Sequence, residues 1–263
     1  MADLVITTAR KPSEDNLARA QYWALLLQAP VVERRGRSLP VLCQEENVRG
    51  ALVIQVQRET YYEPAAGVEL FFHPNLASVR IRNINEGSPD HMVAAMELAT
   101  GDRVLDCTMG RGADAIICTH VVGHTGHVVA IEKVPVIAHL TIEGLRNSHY
   151  VSDAFTALMR RVDARCADYN QFLPTCEDAA FDVVYFDPIF HDPVEKSQSM
   201  APVRAVGESA GLTVEASRQA LRVARRAVVI KQRRGTGLWD MLGVQETLRG
   251  AQSRVEYGVL RPG

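Results

Sequence analysis

The chain predicts an α/β fold: an open, mostly parallel sheet covered by helices, preceded by a small α/β lobe. Three observations predict it. After about residue 90, apolar strand-like runs alternate strictly with helical periodicities. The first of those strands stops on a glycine-rich turn that opens a helix. The 263 residues exceed a typical single small domain, which leaves room for one large core and an appended lobe. The break falls at Gly87-Ser88-Pro89, giving an N-terminal lobe at 1–86, a candidate for substrate recognition, and a larger domain at 87–263.

In the first lobe, Leu4 to Thr8 reads as a strand. Ser13 caps a helix to about Leu27, with Leu17, Ala20, Ala24 and Leu27 recurring at helical spacing. Ala51 to Gln57 and Val68 to Phe72 are β-like, separated by Tyr61-Tyr62-Glu63-Pro64 and a turn at Ala65-Ala66-Gly67. In the larger domain, His91 to Leu98 is helical, Arg103 to Cys107 a strand, Ala113 to Val122 a helix, Val128 to Glu132 a strand and Val136 to Asn147 a helix. Strands at Val162 to Cys166 and Val183 to Phe186, a helix from Val214 to Arg225, and strands at Ala227 to Lys231 and Val255 to Leu260 complete the series. Seven strands are expected, Val255 to Leu260 being an antiparallel insertion. Ligands of such sheets sit beyond the carboxyl ends of the strands, where strand order reverses.

Composition narrows the classes. An apolar fraction of 47%, a charged fraction of 23% and a net charge of -2 describe an ordinary globular protein without a global basic field. Nucleic-acid contact would therefore need a local patch. Five widely spaced cysteines without a Cys-x-x-Cys pair point to neither a disulfide framework nor a zinc cluster. With no leader-like start and no long apolar run, a cytoplasmic protein without a membrane span is expected.

The chemistry-bearing loops follow the strands. Gly110 and Gly112, after Val104-Leu105-Asp106, let the backbone bend and approach a ligand. Spacing alone leaves a dinucleotide open, because Ala115 fills the third glycine's place in the relaxed fingerprint. Asp106 tips the reading, since an acid there holds a cation and repels a pyrophosphate. Glu132 is placed to accept ribose hydroxyls and Asp168 an adenine amino group; three acids on three strand ends suit S-adenosyl-L-methionine. Tyr185-Phe186-Asp187-Pro188-Ile189-Phe190 ends a buried strand on a carboxylate, a rigid turn and a flat ring, a set suited to a planar amine. Asp187 and the Pro188 carbonyl would accept hydrogen bonds from the two amine N–H groups, and Phe190 would stack on the ring.

These residues resemble a known family. Asp106-x-Thr108-x-Gly110-x-Gly112-x-Asp114-Ala115, Glu132-Lys133-x-Pro135-Val136 and Tyr185-x-Asp187-Pro188-x-Phe190, with Lys196-Ser197 beyond, are similar to class I methyltransferases. More specifically, they resemble the bacterial RsmJ family that methylates guanine N2 of small-subunit ribosomal RNA, in a branch with a different N-terminal lobe. The resemblance implies a Rossmann-like seven-stranded sheet and cofactor contacts at Asp114, Glu132, Lys133, Asp168, Tyr169 and Asp187; Asp106, Thr108, Gly110, Gly112 and Ala113 join them as cofactor-binding candidates of the glycine loop. It implies ribosomal RNA as partner, and Asp187, Pro188 and Phe190 are the catalytic candidates. The chain departs from the family at Ala113, where a basic residue is expected, at Asp168-Tyr169, where small hydroxyl residues are expected, and at His191 in place of proline.

Other readings are weighed beside these. His120, His124 and His127 fall on a helix-to-strand turn and no acid or cysteine joins them at ligand spacing, so no metal is expected. Arg218, Arg222 and Arg226 line one helix face at four-residue steps, with Arg233 and Arg234 close by; together with Lys196 they are the RNA-binding candidates against a default of a solvated face. Arg34, Arg35 and Arg37 form a second candidate patch, and Thr60-Tyr61-Tyr62 a candidate stacking surface. For the reaction, a protein glutamine or small planar amine is the alternative acceptor. A dinucleotide-dependent oxidoreductase or a non-catalytic binding module is the alternative class.

Overall fold

Two sheets organise the chain in a computed structural model that describes residues 3–188, 211–235, 237–250 and 253–263. Phe190, His191 and Lys196 lie outside the described residues. In the first sheet, β1 (Leu4–Thr8), β2 (Gly50–Ile54), β3 (Glu59–Glu63) and β4 (Val68–Leu70) lie in sequence order. β1 runs parallel to β2 and the other pairs are antiparallel. Helix α1 (Glu14–Leu27) starts at Ser13, whose hydroxyl accepts from Asn16 N at 3.2 Å while the Asn16 side chain reaches back to Ser13 N.

Three expectations change in this lobe. The buried stripe of α1 is Asn16, Ala20, Trp23 and Leu27, whereas Leu17 is 46% exposed. Tyr61-Tyr62-Glu63 does not separate two strands but belongs to β3, an interior strand, and Tyr61 of the candidate stacking surface is buried. Arg34, Arg35 and Arg37 are spent locally: Arg37 pairs with Glu45, Arg35 with Glu33, and Arg34 donates to the Arg37 carbonyl.

Helices α2 (Leu39–Glu45) and α3 (Asn75–Asn85) complete the lobe. α3 turns its apolar side to the larger domain, with Ala77 and Ile81 in one core with Met92, Val104 and Ile116. In return, Val136, Ile137 and Leu140 of α6 (Pro135–Asn147) pack with Trp23, Leu52 and Leu70. Phe72 closes the joint. A Cβ at Gly144 on α6 would stand 2.0 Å from Phe72 Cγ, so only glycine lets the two lobes approach there.

The larger sheet comprises β5 (Arg103–Asp106), β6 (His127–Glu132), β7 (Asp163–Cys166), β8 (Phe181–Phe186), β9 (Ala224–Arg233), β10 (Glu246–Leu248) and β11 (Val255–Leu260). Their order is β10-β11-β9-β8-β5-β6-β7. β5 to β9 are mutually parallel, and β11 runs antiparallel between β9 and β10. Order reverses at the β5–β8 boundary, where such sheets bind ligands. Helices α4 (His91–Met96), α5 (Ala113–Val122), α7 (Asp153–Met159), α8 (Tyr169–Phe172), α9 (Val214–Val223) and α10 (Leu238–Leu242) complete the domain.

Strand alternation divides this core in two. Val104, Val128, Ala130, Val183, Tyr185, Ala227 and Val229 face α3, α4 and α5. Leu105, Val129, Ile131, Val184, Phe186, Val228 and Ile230 face α9. Continued for one step past the apolar run, the same parity sends Asp106, Glu132, Asp187 and Lys231 to the first face. Sequence parity thus delivers the site's charges to one side of the sheet.

Candidate active site

The loop after β5 is stitched between its neighbours. Cys107 N donates to the Tyr185 carbonyl at 2.9 Å and Met109 N to the Ile131 carbonyl at 2.9 Å. Gly110 and Gly112 adopt φ of +51° and +77°, and a Cβ at Gly112 would meet Thr141 Cγ2 at 3.2 Å. Thr141 Oγ1 donates to the Gly110 carbonyl at 2.7 Å, and α5 begins directly afterwards at Ala113.

Around this loop the acids converge. Asp106 is 1% exposed; its Oδ1 accepts from Thr108 N at 3.0 Å, and its buried Oδ2 has no hydrogen-bond partner among the described residues. Burial pushes its carboxyl well above the usual range, the Thr108 N–H opposing in part. Glu132 Oε2 accepts from Gly110 N at 3.1 Å and Oε1 from Val134 N at 2.9 Å, so the strand-end acid fixes the glycine loop. Burial raises its pKa too. Asp168 caps α8 by accepting from Asn170 N at 2.9 Å and pairs with Lys133 Nζ at 3.2 Å, tying the ends of β6 and β7. Tyr169 stands edge-on to Phe186 with ring centroids 5.4 Å apart.

The Asp-Pro turn is joined to the same loop, since Asp187 N donates to Thr108 Oγ1 at 2.6 Å. Asp187 Oδ2 accepts from Lys231 Nζ at 2.6 Å, and Lys231 stands 3.6 Å from Asp114 Oδ2. Asp114 also accepts from Tyr185 Oη at 2.9 Å and pairs with Arg80, whose guanidinium grips both oxygens of Asp90 at 2.8 and 2.9 Å. Burial raises the Asp187 carboxyl, offset in part by Lys231. Asp114, half-buried but facing both Lys231 and Arg80, is held below the usual range. The two acids differ because one has two cations and the other shares one.

The structure therefore brings together Asp106, Thr108, Gly110, Gly112, Asp114, Glu132, Asp187 and Pro188. It does not form the expected arginine face. α9 ends at Val223, where Ala224 turns extended at φ -82° and ψ 135°, so Arg226 stands on β9 rather than on the helix. Arg222 is folded onto the Leu173 and Cys176 carbonyls and Asp178, Arg218 pairs with Glu215, and Arg226 clamps Asp102. Arg233 and Arg234, by contrast, lie at the exit of β9, past Lys231, where Arg234 N donates to the Arg254 carbonyl at 3.3 Å. Among the described residues no group of histidines, cysteines and acids could hold a metal; His120 bonds Asn85 and His127 faces Asp163.

Sequence reasoning missed Arg80, and it read Lys231 only as the last residue of a strand. Alternation was the available signal: Ala227, Val229 and Lys231 share the parity of Val183, Tyr185 and Asp187.

The arrangement fits a cationic cofactor. Six carboxyl groups, at Asp90, Asp106, Asp114, Glu132, Asp168 and Asp187, meet three cations, Arg80, Lys133 and Lys231, which pair with four of them. A buried acceptor without a partner, beside a glycine loop and among acids at the strand ends, matches a sulfonium with an ammonium group and would repel a dinucleotide phosphate.

Fold and site together define a class I methyltransferase. A sequence profile of SAM-dependent methyltransferases matches residues 42–255, and the chain belongs to that family. It is a SAM-dependent methyltransferase with S-adenosyl-L-methionine as cofactor, which sets the dinucleotide and non-catalytic readings aside. The uncharacterised protein YpiP of Bacillus subtilis is 34% identical over 98% of this chain and 99% of its own length. Ribosomal RNA small subunit methyltransferase J of Pseudoalteromonas atlantica is 26% identical over 79% of this chain and 86% of its own. A SAM-dependent methyltransferase from Neisseria gonorrhoeae shares the fold, with a TM-score of 0.63 at 16% identity over 98% of this chain and 95% of its own. Among the described residues no helix is long and apolar enough to cross a membrane.

Proposed function

We propose that the enzyme methylates an exocyclic amino nitrogen, and that the acceptor is guanine N2 of small-subunit ribosomal RNA. The observation that carries the amine is the Asp187-Pro188 turn, fixed by Thr108 against the cofactor loop. When bound, S-adenosylmethionine supplies an electrophilic methyl group on a sulfonium. Asp106 Oδ2 would accept from the ammonium of its amino acid moiety, Glu132 from the ribose hydroxyls and Asp168 from the adenine amino group, with Thr108, Gly110, Gly112, Ala113, Asp114, Lys133 and Tyr169 lining the site.

An aromatic amine is a weak nucleophile because its lone pair is delocalised into the ring. Asp187 and the Pro188 carbonyl, each accepting one N–H, favour a pyramidal nitrogen with its lone pair directed out of the ring plane. Asp187 then takes the proton that leaves once the nitrogen carries its new methyl group. A guanine in a helix must first be unstacked, at a cost of a few kcal/mol.

Ribosomal RNA is supported by two observations. Relatives named ribosomal RNA small subunit methyltransferase J align over much of the chain. At the site end of β9, Arg233, Arg234 and Arg254 form a basic rim, with Arg234 and Arg254 exposed. We assign the phosphate contacts to this rim rather than to Arg218, Arg222 and Arg226. The lobe at 1–86 we read as substrate-facing, since its Arg80 already reaches Asp114.

Mass spectrometry of ribosomal RNA from cells lacking the gene tests the acceptor. Loss of one N2-methylguanosine, restored by the wild-type gene, is expected. Unchanged ribosomal RNA, together with methyl transfer that is insensitive to salt, would instead indicate a protein glutamine or small amine.

A further inference from the structure

One half-buried chain of charges runs across the sheet ends: Asp90, Arg80, Asp114, Lys231, Asp187. Its last link is the unusual one. Arg80 secures α3 to α4 and α5, and Asp114 is already satisfied by Arg80 and Tyr185. Lys231, however, comes from a strand that no site motif includes, and puts its ammonium 2.6 Å from the carboxylate assigned to the acceptor amine. The strand geometry leaves it little choice. Lys231 lies directly across from Tyr257 on β11, it shares the parity of Val229, and Val229 lies across from Tyr185 on β8.

We infer that Lys231 is the positioning residue of the transfer step, holding Asp187 as a carboxylate, with Oδ2 engaged and Oδ1 turned to the acceptor. This rests on the reading of Asp187 as the amine acceptor. The physical requirement is plain: a protonated Asp187 would present a donor where the amine needs an acceptor. The groups facing Asp187 are Asp106 from β5, Asp114 from α5, Tyr185 from β8, Tyr257 from β11, Arg80 from α3 and Lys231 itself. Burial and the acids among them favour the neutral acid, and Lys231 is the cation in contact. Burial also works against the ammonium, but Asp114 and Asp187 keep it charged, with its pKa above the usual lysine value. Lys231 therefore remains a cation and is not the base that receives the acceptor's proton.

The test compares Lys231→Met and Lys231→Arg with wild type. The Asp187 carboxyl is followed through a pH titration by carbon NMR with S-adenosylhomocysteine bound. Lys231→Met is expected to raise the Asp187 midpoint by at least about one unit, because a buried carboxyl deprived of its cation takes a proton; Lys231→Arg is expected to bring it most of the way back. In turnover, Lys231→Met is expected to lose about tenfold for every unit by which the Asp187 midpoint exceeds the assay pH, and to recover about tenfold per unit on raising the pH. Calorimetry should find S-adenosylhomocysteine bound within about threefold of wild type, which reports an intact fold.

An unmoved Asp187 midpoint overturns the assignment, as does a turnover loss that no rise in pH recovers. If ribosomal RNA is the wrong acceptor, wild type fails to methylate it, while the NMR midpoint still reports on Lys231.

Discussion

At its entry β9 presents Arg225 and Arg226, and at its exit Lys231, Arg233 and Arg234. Below, two cations meet two acids. Arg226 grips Asp102 at 2.6 and 3.1 Å and Arg225 Nε bonds Asp182 at 2.8 Å, while those acids also accept from Ala99 N and Arg103 N. Above, acids outnumber the cations paired with them, and a glycine loop opens beside them. Each end leaves one buried polar atom without a hydrogen-bond partner among the described residues, Arg226 Nε below and Asp106 Oδ2 above. An orphaned atom therefore does not by itself mark a site. Charge balance separates the two: the lower end is neutralised by its own residues and holds strands together, whereas the upper end has the charge to receive a cationic ligand.

That contrast is sharpest in the chemistry. Asp187→Ala is expected to lower the rate of methyl transfer by about 100- to 1,000-fold while leaving cofactor affinity nearly intact, as read by single-turnover kinetics beside calorimetry. A proportionate loss of cofactor binding would move Asp187 from the acceptor to the cofactor. At the other end of the strand, Arg226→Met strands Asp102, which is 8% exposed. It should cost about 1–3 kcal/mol in urea unfolding without changing cofactor affinity or pH profile. A change in turnover per folded molecule would break the division.

Much of the larger domain is legible in the sequence because its strands are short apolar runs bounded by turn residues. β11 and α5 have the expected bounds, Val255–Leu260 and Ala113–Val122. What escapes has physical reasons. α2 and α7 are seven residues each and α10 five, too short to display a helical stripe. β3 is hidden because Pro64 makes Tyr61-Tyr62-Glu63 look like a turn. The arginine face fails on a helix boundary: four-residue spacing carries the helix to Arg225, but extended backbone begins at Ala224.

In the site, the acids at strand ends are legible one strand at a time. The pairing of Asp187 with Lys231 and of Asp114 with Arg80 is not, because partners that far apart in sequence meet only through strand order and the packing of α3. Parity was nevertheless readable in advance, and it assigns Asp106, Glu132, Asp187 and Lys231 to one face of the sheet.

The acid-rich end of the sheet is expected to hold the cofactor and the balanced end is not. Calorimetric titration of S-adenosylhomocysteine into wild type, Glu132→Ala and Arg226→Met tests this directly. Glu132→Ala is expected to bind about 100-fold more weakly, about 2.7 kcal/mol, and Arg226→Met like wild type. Equal weakening of both variants, or wild-type binding by Glu132→Ala, would contradict the account.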